Sequence, residues 1–354
     1  MTQEELDKIV EQHQHWLKED CEGWKDMRAN LAGAYLTRAD LTRANLAGAD
    51  LTDANLAGAN LAGADLADAD LTRANLAGAN LTRAYLTRAY LTRADLTRAN
   101  LAGADLTDAN LAGANLAGAN LTRAYLTRAD LTRANLAGAN LAGANLTDAN
   151  LTLDNLAGAN LAGANLTRAY LTRAYLTRAN LAGAYLTRAN LAGAYLTRAN
   201  LAGANLAGAN LTDANLTRDN LAGANLTDAY LTGANLAGAN LADANLAGAD
   251  KFRLGKILTE PLTGYKKTKE GVVITAEIPA GAIVFCINGR KCRTNKAKIT
   301  DMDGHEVLHS SYDNSFEYRL GQEINIKDFN LMYNVECASG FHFFRTSKEA
   351  EEYR

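Results

Sequence analysis

Leu recurs at every fifth position from Leu31 to Leu246 without exception, which makes 44 consecutive pentads. Ala stands two places before each of these Leu except at Asp154 and Asp219, and the residue immediately before is Asn, Asp or Tyr. Thr or Ala follows each Leu, and then mostly Arg, Gly or Asp. A period of five matches neither the 3.6 of a helix nor the 2.0 of a strand, so neither element keeps Leu on one face. The pattern predicts a coiled path in which each pentad turns the chain by a fixed angle and successive coils stack. Two other regions differ. Leu6, Ile9, Val10, His13, Trp16 and Leu17 fall on one stripe at helical spacing, and Thr2 with Glu5 suits a capping box, so an amphipathic helix is predicted there. From Lys251 the pentads stop. "GVVITAEIP", "AIVFCING", "KAKITDM" and "NSFEYRLG" read as short strands, and "SGFHFF" leads into a helix near "SKEAEEYR".

The pentads "ANLTR", "ANLAG" and "ADLTD" nearly copy an A(D/N)LXX motif, and residues 29–248 resemble the pentapeptide-repeat family. The resemblance implies a mainly β chain, a right-handed quadrilateral β-helix with four pentads per coil. Leu and the preceding Ala point inward in that fold, and the other three positions point outward. About 11 coils follow, and at about 4.8 Å between paired strands the rod is roughly 50 Å long. Leu31, Leu86, Leu146 and Leu246 then belong to the structural core. Each buried Leu contributes about 1.5–3 kcal/mol against the backbone entropy of a chain with little other core. Residues 20 apart should lie above one another, and one such column reads Asp68, Arg88, Asp108, Arg128, Asp148, Arg168, an alternation of charge suited to cross-coil pairing. The other three columns do not alternate.

The expected division is an N-terminal helical cap (1–28), a pentapeptide β-helix (29–250) and a C-terminal α+β domain (251–354). An open β-helix end exposes unpaired backbone and apolar side chains, so a helix bearing Trp16, followed by Trp24 and Met27, is expected to cover it. In the last segment "GRKCR", "SSYDNSFEYRLG", "ECASGFHFF" and "EAEEYR" resemble a domain of unknown function that accompanies pentapeptide repeats in bacterial and phage proteins. That resemblance implies no activity.

Charge narrows the partners. The whole chain carries a net −3, and the pentads hold 16 Arg, no Lys and 17 Asp, so neither a polyanion-binding rod nor an acidic imitation of duplex DNA is indicated. Arg178, Arg198 and Arg218 share one column, with Tyr175 and Tyr195 in the column beside it, but a solvated surface of mixed charge accounts for them better than nucleic-acid binding. No 18-residue apolar run occurs, which predicts no membrane span and, with an acidic N-terminus, a cytoplasmic location. Cys21, Cys286, Cys292 and Cys337 form no CxxC pair and are expected to be free thiols.

Candidate chemistry is sparse. Asp154 and Asp219 interrupt the inward Ala row, either as buried acids of raised pKa or as local defects, hydrogen-bonded to a turn amide or tipped to solvent. Cys286, Cys292, Cys337 and His342 lack the spacing of common zinc motifs. Cys337 with His342 or His305 has no evident acid partner or oxyanion motif. The basic run "INGRKCRTNKAK" reads as a charged strand edge, and Tyr265, Tyr312, Phe316, Tyr318, Phe341, Phe343 and Phe344 as core and rim. No catalytic, cofactor-binding or metal-binding residue is assigned. The expectation is a monomeric, non-enzymatic scaffold that binds an unknown protein partner. A DNA-mimicking modulator of a type II topoisomerase and an enzyme activity in residues 251–354 are the alternatives.

Overall fold

The computed structural model describes residues 1–249, 256–257, 260–287, 291–310, 316–325, 341–344 and 347–351. The chain forms two compact units, Met1–Asp250 and Lys251–Arg354.

In the first unit, parallel bridges join residues 20 apart, from Asn30↔Asp50 to Asn225↔Asn245, four in each 20 residues. One pentad shows how the backbone is satisfied. The Leu81 N–H donates to the Asn100 carbonyl at 2.7 Å, the Arg83 N–H to the Ala102 carbonyl at 3.0 Å, and the Asn80 N–H to the Ala59 carbonyl at 2.9 Å. The Ala84 N–H closes a turn on the Leu81 carbonyl at 3.0 Å. The remaining amide, Thr82 N–H, is taken by the side chain of Asn80 at 3.2 Å. Every N–H of the pentad thus has an acceptor, which is what a backbone folded this tightly requires. The turn puts the residue two places after Leu at positive φ in every pentad, as at Arg83 (φ 56) and Gly103 (φ 66). An i→i+3 bond with positive φ only at its third residue is type II geometry.

Leu and Ala fill the interior, and Leu31, Leu86 and Leu146 are buried. Leu246, expected in the same core, is only half-buried, because no following coil of the rod stacks over it.

Helix α1 (Gln3–Lys18) is closed by a complete capping box between Thr2 and Glu5. It meets the first coil through its side chains. Gln3 accepts from the Asp40 N–H at 3.1 Å and donates to the Asp40 carbonyl at 2.8 Å. Gln14 donates to the Asn45 carbonyl at 3.2 Å. Fully buried His13 accepts the Ala29 N–H on Nδ1 at 3.1 Å, which leaves its proton on Nε2, 3.0 Å from the Ala47 carbonyl. Apart from the Ala29 N–H, whose equivalents close their own turns, these backbone groups are of the kind that a preceding coil pairs elsewhere in the rod, so α1 takes that coil's place at them. Trp16 stacks on His13, ring centroids 5.0 Å apart, and covers Gly48, where a Cβ would lie 3.1 Å from the indole. Trp24 begins a 3₁₀ turn, Trp24–Met27, and is half-buried.

The second unit contains strands β1 (Lys256–Ile257), β2 (Leu262–Lys267), β3 (Val273–Ile278), β4 (Ile283–Ile287), β5 (Lys291–Thr294), β6 (Lys296–Asp301), β7 (Leu308–His309), β8 (Glu317–Tyr318), β9 (Glu323–Asn325) and β10 (Phe341–Phe344), then helix α2 (Ser347–Glu351). Eight form an antiparallel sheet in the order β1-β4-β5-β10-β2-β3-β6-β9, and β7 pairs with β8. Ile274, Ile278, Ile299, Leu308, Tyr318 and Phe343 lead its core. Gly264 on β2 makes room for Phe343, since a Cβ there would lie 2.6 Å from the ring.

Two expectations are corrected here. The basic run was expected at a sheet edge, yet β5 lies between β4 and β10, and its Lys and Arg signal a position the topology does not give them. Cys292 is disulfide-bonded rather than free, while Cys21 is a free thiol. Disulfides persist in oxidising compartments, so the cysteines do not support a cytoplasmic location. Cys337 lies outside the described residues. No helix among them is long and apolar enough to cross a membrane.

Burial, with the nearby Arg28 charge, pushes the His13 pKa below its ordinary value despite the bond to Ala47. Such a group stabilises the cap while neutral, and the contribution falls as pH drops below about 6.5, where the unfolded chain takes up the proton first. Both tryptophans of the chain lie in this cap, so denaturant titration followed by Trp fluorescence reports on it. Cap stability is expected to fall between pH 7 and pH 5 by no more than about 1.4 kcal/mol per pH unit. The profile should flatten in His13→Gln; an equal slope in that variant would assign the effect to other groups.

Candidate interaction surface

The outward side chains of the rod stand mainly at the positive-φ position and at the residue before Leu. Within the column expected to alternate, Arg88, Arg128 and Arg168 each reach back one coil to Asp68, Asp108 and Asp148, with Nε–Oδ1 distances of 2.7 Å. A second guanidinium nitrogen binds the other carboxylate oxygen, so each contact is bidentate. Hydrogen bonding to Arg holds these carboxyls below the usual carboxylate range. The six residues therefore form three separate pairs and not one continuous ladder. Arg73 and Asp53 make the same contact in another column, where a lone pair gives no repeating alternation to notice in the sequence.

Arg178, Arg198 and Arg218 are arranged otherwise. They are exposed, occupy consecutive coils of one column, and have no ion-pair partner among the described residues. With Thr177, Thr197 and Thr217 they line a groove of about 720 Å³ whose end is formed by Ala157 and Gly158. On one side Tyr175 and Tyr195 stack, centroids 5.0 Å apart and planes within 8°. On the other, Asn160, Asn180, Asn200, Asn220 and Asn240 each donate to the Asn one coil earlier, a continuous amide ladder rising from Asn140.

Asp154 and Asp219 are buried, at 0% and 1% exposure, and neither tips toward solvent. Asp154 accepts the Ala134 N–H and Asp219 the Ala199 N–H, each at 2.9 Å from the coil below. Oδ2 of both has no hydrogen-bond partner among the described residues. Desolvation raises their pKa values to about 9 and about 8, so both are protonated at neutral pH. The buried-acid and turn-amide readings therefore hold together.

The second unit offers less. His305 is exposed, His342 is half-buried on β10, and Cys292 is bridged, which removes it from a zinc set. Tyr318, Phe343 and Phe344 are buried, as core residues should be. At the end of α1, His15, Asp20 and Cys21 bring ligand-capable atoms within 4.8 Å of one another, a local cluster that linear spacing did not suggest.

Family comparisons agree with the repeat geometry. Segments spanning residues 28–250 match the Pentapeptide repeats family, and the chain belongs to it. Residues 252–350 match a family of unknown function, DUF5758. An uncharacterized protein of Acanthamoeba polyphaga mimivirus is 38% identical over 97 residues, covering 23% of this chain and 61% of that protein, so the chain spans under two thirds of this curated relative. Among solved structures, HetL of Nostoc sp. strain PCC 7120, a pentapeptide repeat protein involved in heterocyst differentiation regulation, is 39% identical. It covers 56% of this chain and 90% of its own, with a TM-score of 0.36. QnrB1, a plasmid-mediated fluoroquinolone resistance protein, is 21% identical, covering 48% and 84%, with a TM-score of 0.25.

The buried acids generate a stability prediction. For each, the folded pKa lies above the unfolded value of 3.8, so its contribution is fully present below pH 3.8 and is lost as pH rises toward about 9 for Asp154 and about 8 for Asp219. Asp154→Ala restores the residue found at the equivalent place in most pentads. It is expected to stabilise the rod at pH 7 by about 2 kcal/mol or more. Thermal unfolding at pH 5 and pH 8 should show the gain growing with pH; a variant less stable than the parent at pH 8 would refute the assignment.

Proposed function

We propose that this chain is a non-enzymatic scaffold, a monomeric, right-handed rod of about 11 coils, capped by residues 1–28, that binds a protein partner through its outward rows. The observation that carries this is the division of roles within each pentad. Backbone polar groups are used mainly between coils, Leu and Ala fill the inside except at Asp154 and Asp219, and the three outward positions vary, so differences between pentads are mainly differences of surface. The C-terminal unit is read as a second binding module, with DUF5758 supplying no activity to assign.

Affinity capture with the immobilised full chain, read by mass spectrometry, is expected to enrich one defined protein over beads carrying an unrelated β-solenoid. Gyrase supercoiling is expected to be unchanged at micromolar protein. Recovery of nothing above background would overturn the scaffold reading, and inhibition that titrates with the protein would replace it by topoisomerase modulation.

A further inference from the structure

We propose that the groove along Arg178, Arg198 and Arg218 binds a short acidic peptide segment of a protein partner, taking its carboxylates on the three guanidinium groups and on the backbone amides of Thr177 and Thr197. This rests on the protein-binding reading above and gives it a site and a partner chemistry.

Charge is the first ground. Arg88, Arg128 and Arg168 each have an Asp one coil away, whereas Arg178, Arg198 and Arg218 follow one another in successive coils with no carboxylate between them. Three like charges at about 4.8 Å intervals repel, and an anionic partner removes that repulsion. The neighbouring positions of the column, Gly158 and Gly238, carry no charge, so the patch ends sharply at both sides.

Free donors are the second. In an ordinary pentad the residue before Leu accepts the amide of the residue after it. Asn215 does this for Thr217, taking its N–H at 3.1 Å and its hydroxyl at 2.6 Å on the same oxygen. Tyr175 and Tyr195 occupy the equivalent places before Thr177 and Thr197, and a phenol cannot fold back as an Asx side chain does. The N–H and hydroxyl of Thr177 and Thr197 accordingly donate to no protein group among the described residues. A carboxylate oxygen entering the groove can take the part that Asn Oδ1 plays elsewhere. It then receives an amide, a hydroxyl and a guanidinium together, a charge-assisted set.

Size selects the occupant. Three coils span about 10 Å, the length of about three extended residues. A nucleic-acid strand would gain only three phosphate contacts here, on a rod with nearly balanced charge. Tyr175 and Tyr195 also turn one face of each ring to the other, so successive bases cannot intercalate between them and only the outer faces are left for stacking.

The test is fluorescence anisotropy with the full chain at low salt, using labelled hexaglutamate and a labelled single-stranded decanucleotide. Hexaglutamate is expected to bind. Arg198→Gly should weaken it at least about fivefold, and Gly at this positive φ is already the residue at Gly158 and Gly238, so the fold is retained. Tyr195→Asn supplies Thr197 with its own acceptor and should weaken binding at least about threefold while leaving the melting temperature unchanged or higher. No binding of hexaglutamate, unchanged affinity in either variant, or tighter binding of the oligonucleotide would overturn the proposal. The broader reading fails separately. A captured partner held equally by a protein carrying Arg178→Gly, Arg198→Gly and Arg218→Gly removes this groove alone, whereas capture of no partner removes protein binding itself.

Discussion

The rod depends on one constraint: each pentad must close a turn with its third outward residue at positive φ, so that the next Leu re-enters the core on the next side of the coil and every fourth Leu stacks above its predecessor. The i→i+20 hydrogen bonds form only if every turn is the same, because one pentad of different pitch would displace all the coils after it. Gly meets the requirement without steric cost, yet Arg and Asp, and at Leu153 a leucine, stand at this position throughout the rod. Each non-Gly residue there costs about 1 kcal/mol in backbone energy. The fold tolerates this because coil-to-coil bonding and Leu burial over-determine the turn, and in return the same position becomes the rod's main source of charge.

A second constraint explains the residue before Leu. The turn leaves one amide without a backbone acceptor, and Asn or Asp accepts it locally. Some of the same Asn side chains, such as Asn180 and Asn200, also donate to the Asn of the coil below, which joins turn closure to stacking. Tyr gives up the first bond and gains an exposed ring. Each Tyr in the pentads is followed by Leu-Thr and never by Leu-Ala, so the uncapped amide always has a hydroxyl on its own residue.

The Leu register and the coil spacing were legible because both are strictly periodic, and the charge alternation from Asp68 to Arg168 could be read from them directly. The left-handed position was not read, although Gly, Arg and Asp mark it, because Arg is not a residue that ordinarily signals positive φ. Gln3, Gln14 and His13 look like unremarkable members of an amphipathic helix; their partners are backbone groups of the first coil, which no side-chain pattern displays. In the second unit, β2 was missed and β5 was placed at an edge for related reasons. "LTGYKK" carries a Gly that reads as a strand breaker but makes space for Phe343, and "KCRT" carries charges that suit an edge while the sheet order encloses it.

A rod whose backbone is the same in every pentad can distinguish one face from another only by which side chains recur at coil spacing. Overall charge conceals this, since a balance near zero is compatible with three quite different columns: paired Asp and Arg from Asp68 to Arg168, an uncharged Asn ladder from Asn140 to Asn240, and Arg178, Arg198 and Arg218 without an ion-pair partner among the described residues. Paired charges hold each other's hydrogen-bonding capacity and present little to a partner. Asn rows are saturated along the rod in the same way. What remains able to form new, directional contacts is the set of donors without acceptors, and in this rod they coincide where Arg repeats in register and Tyr has displaced Asn.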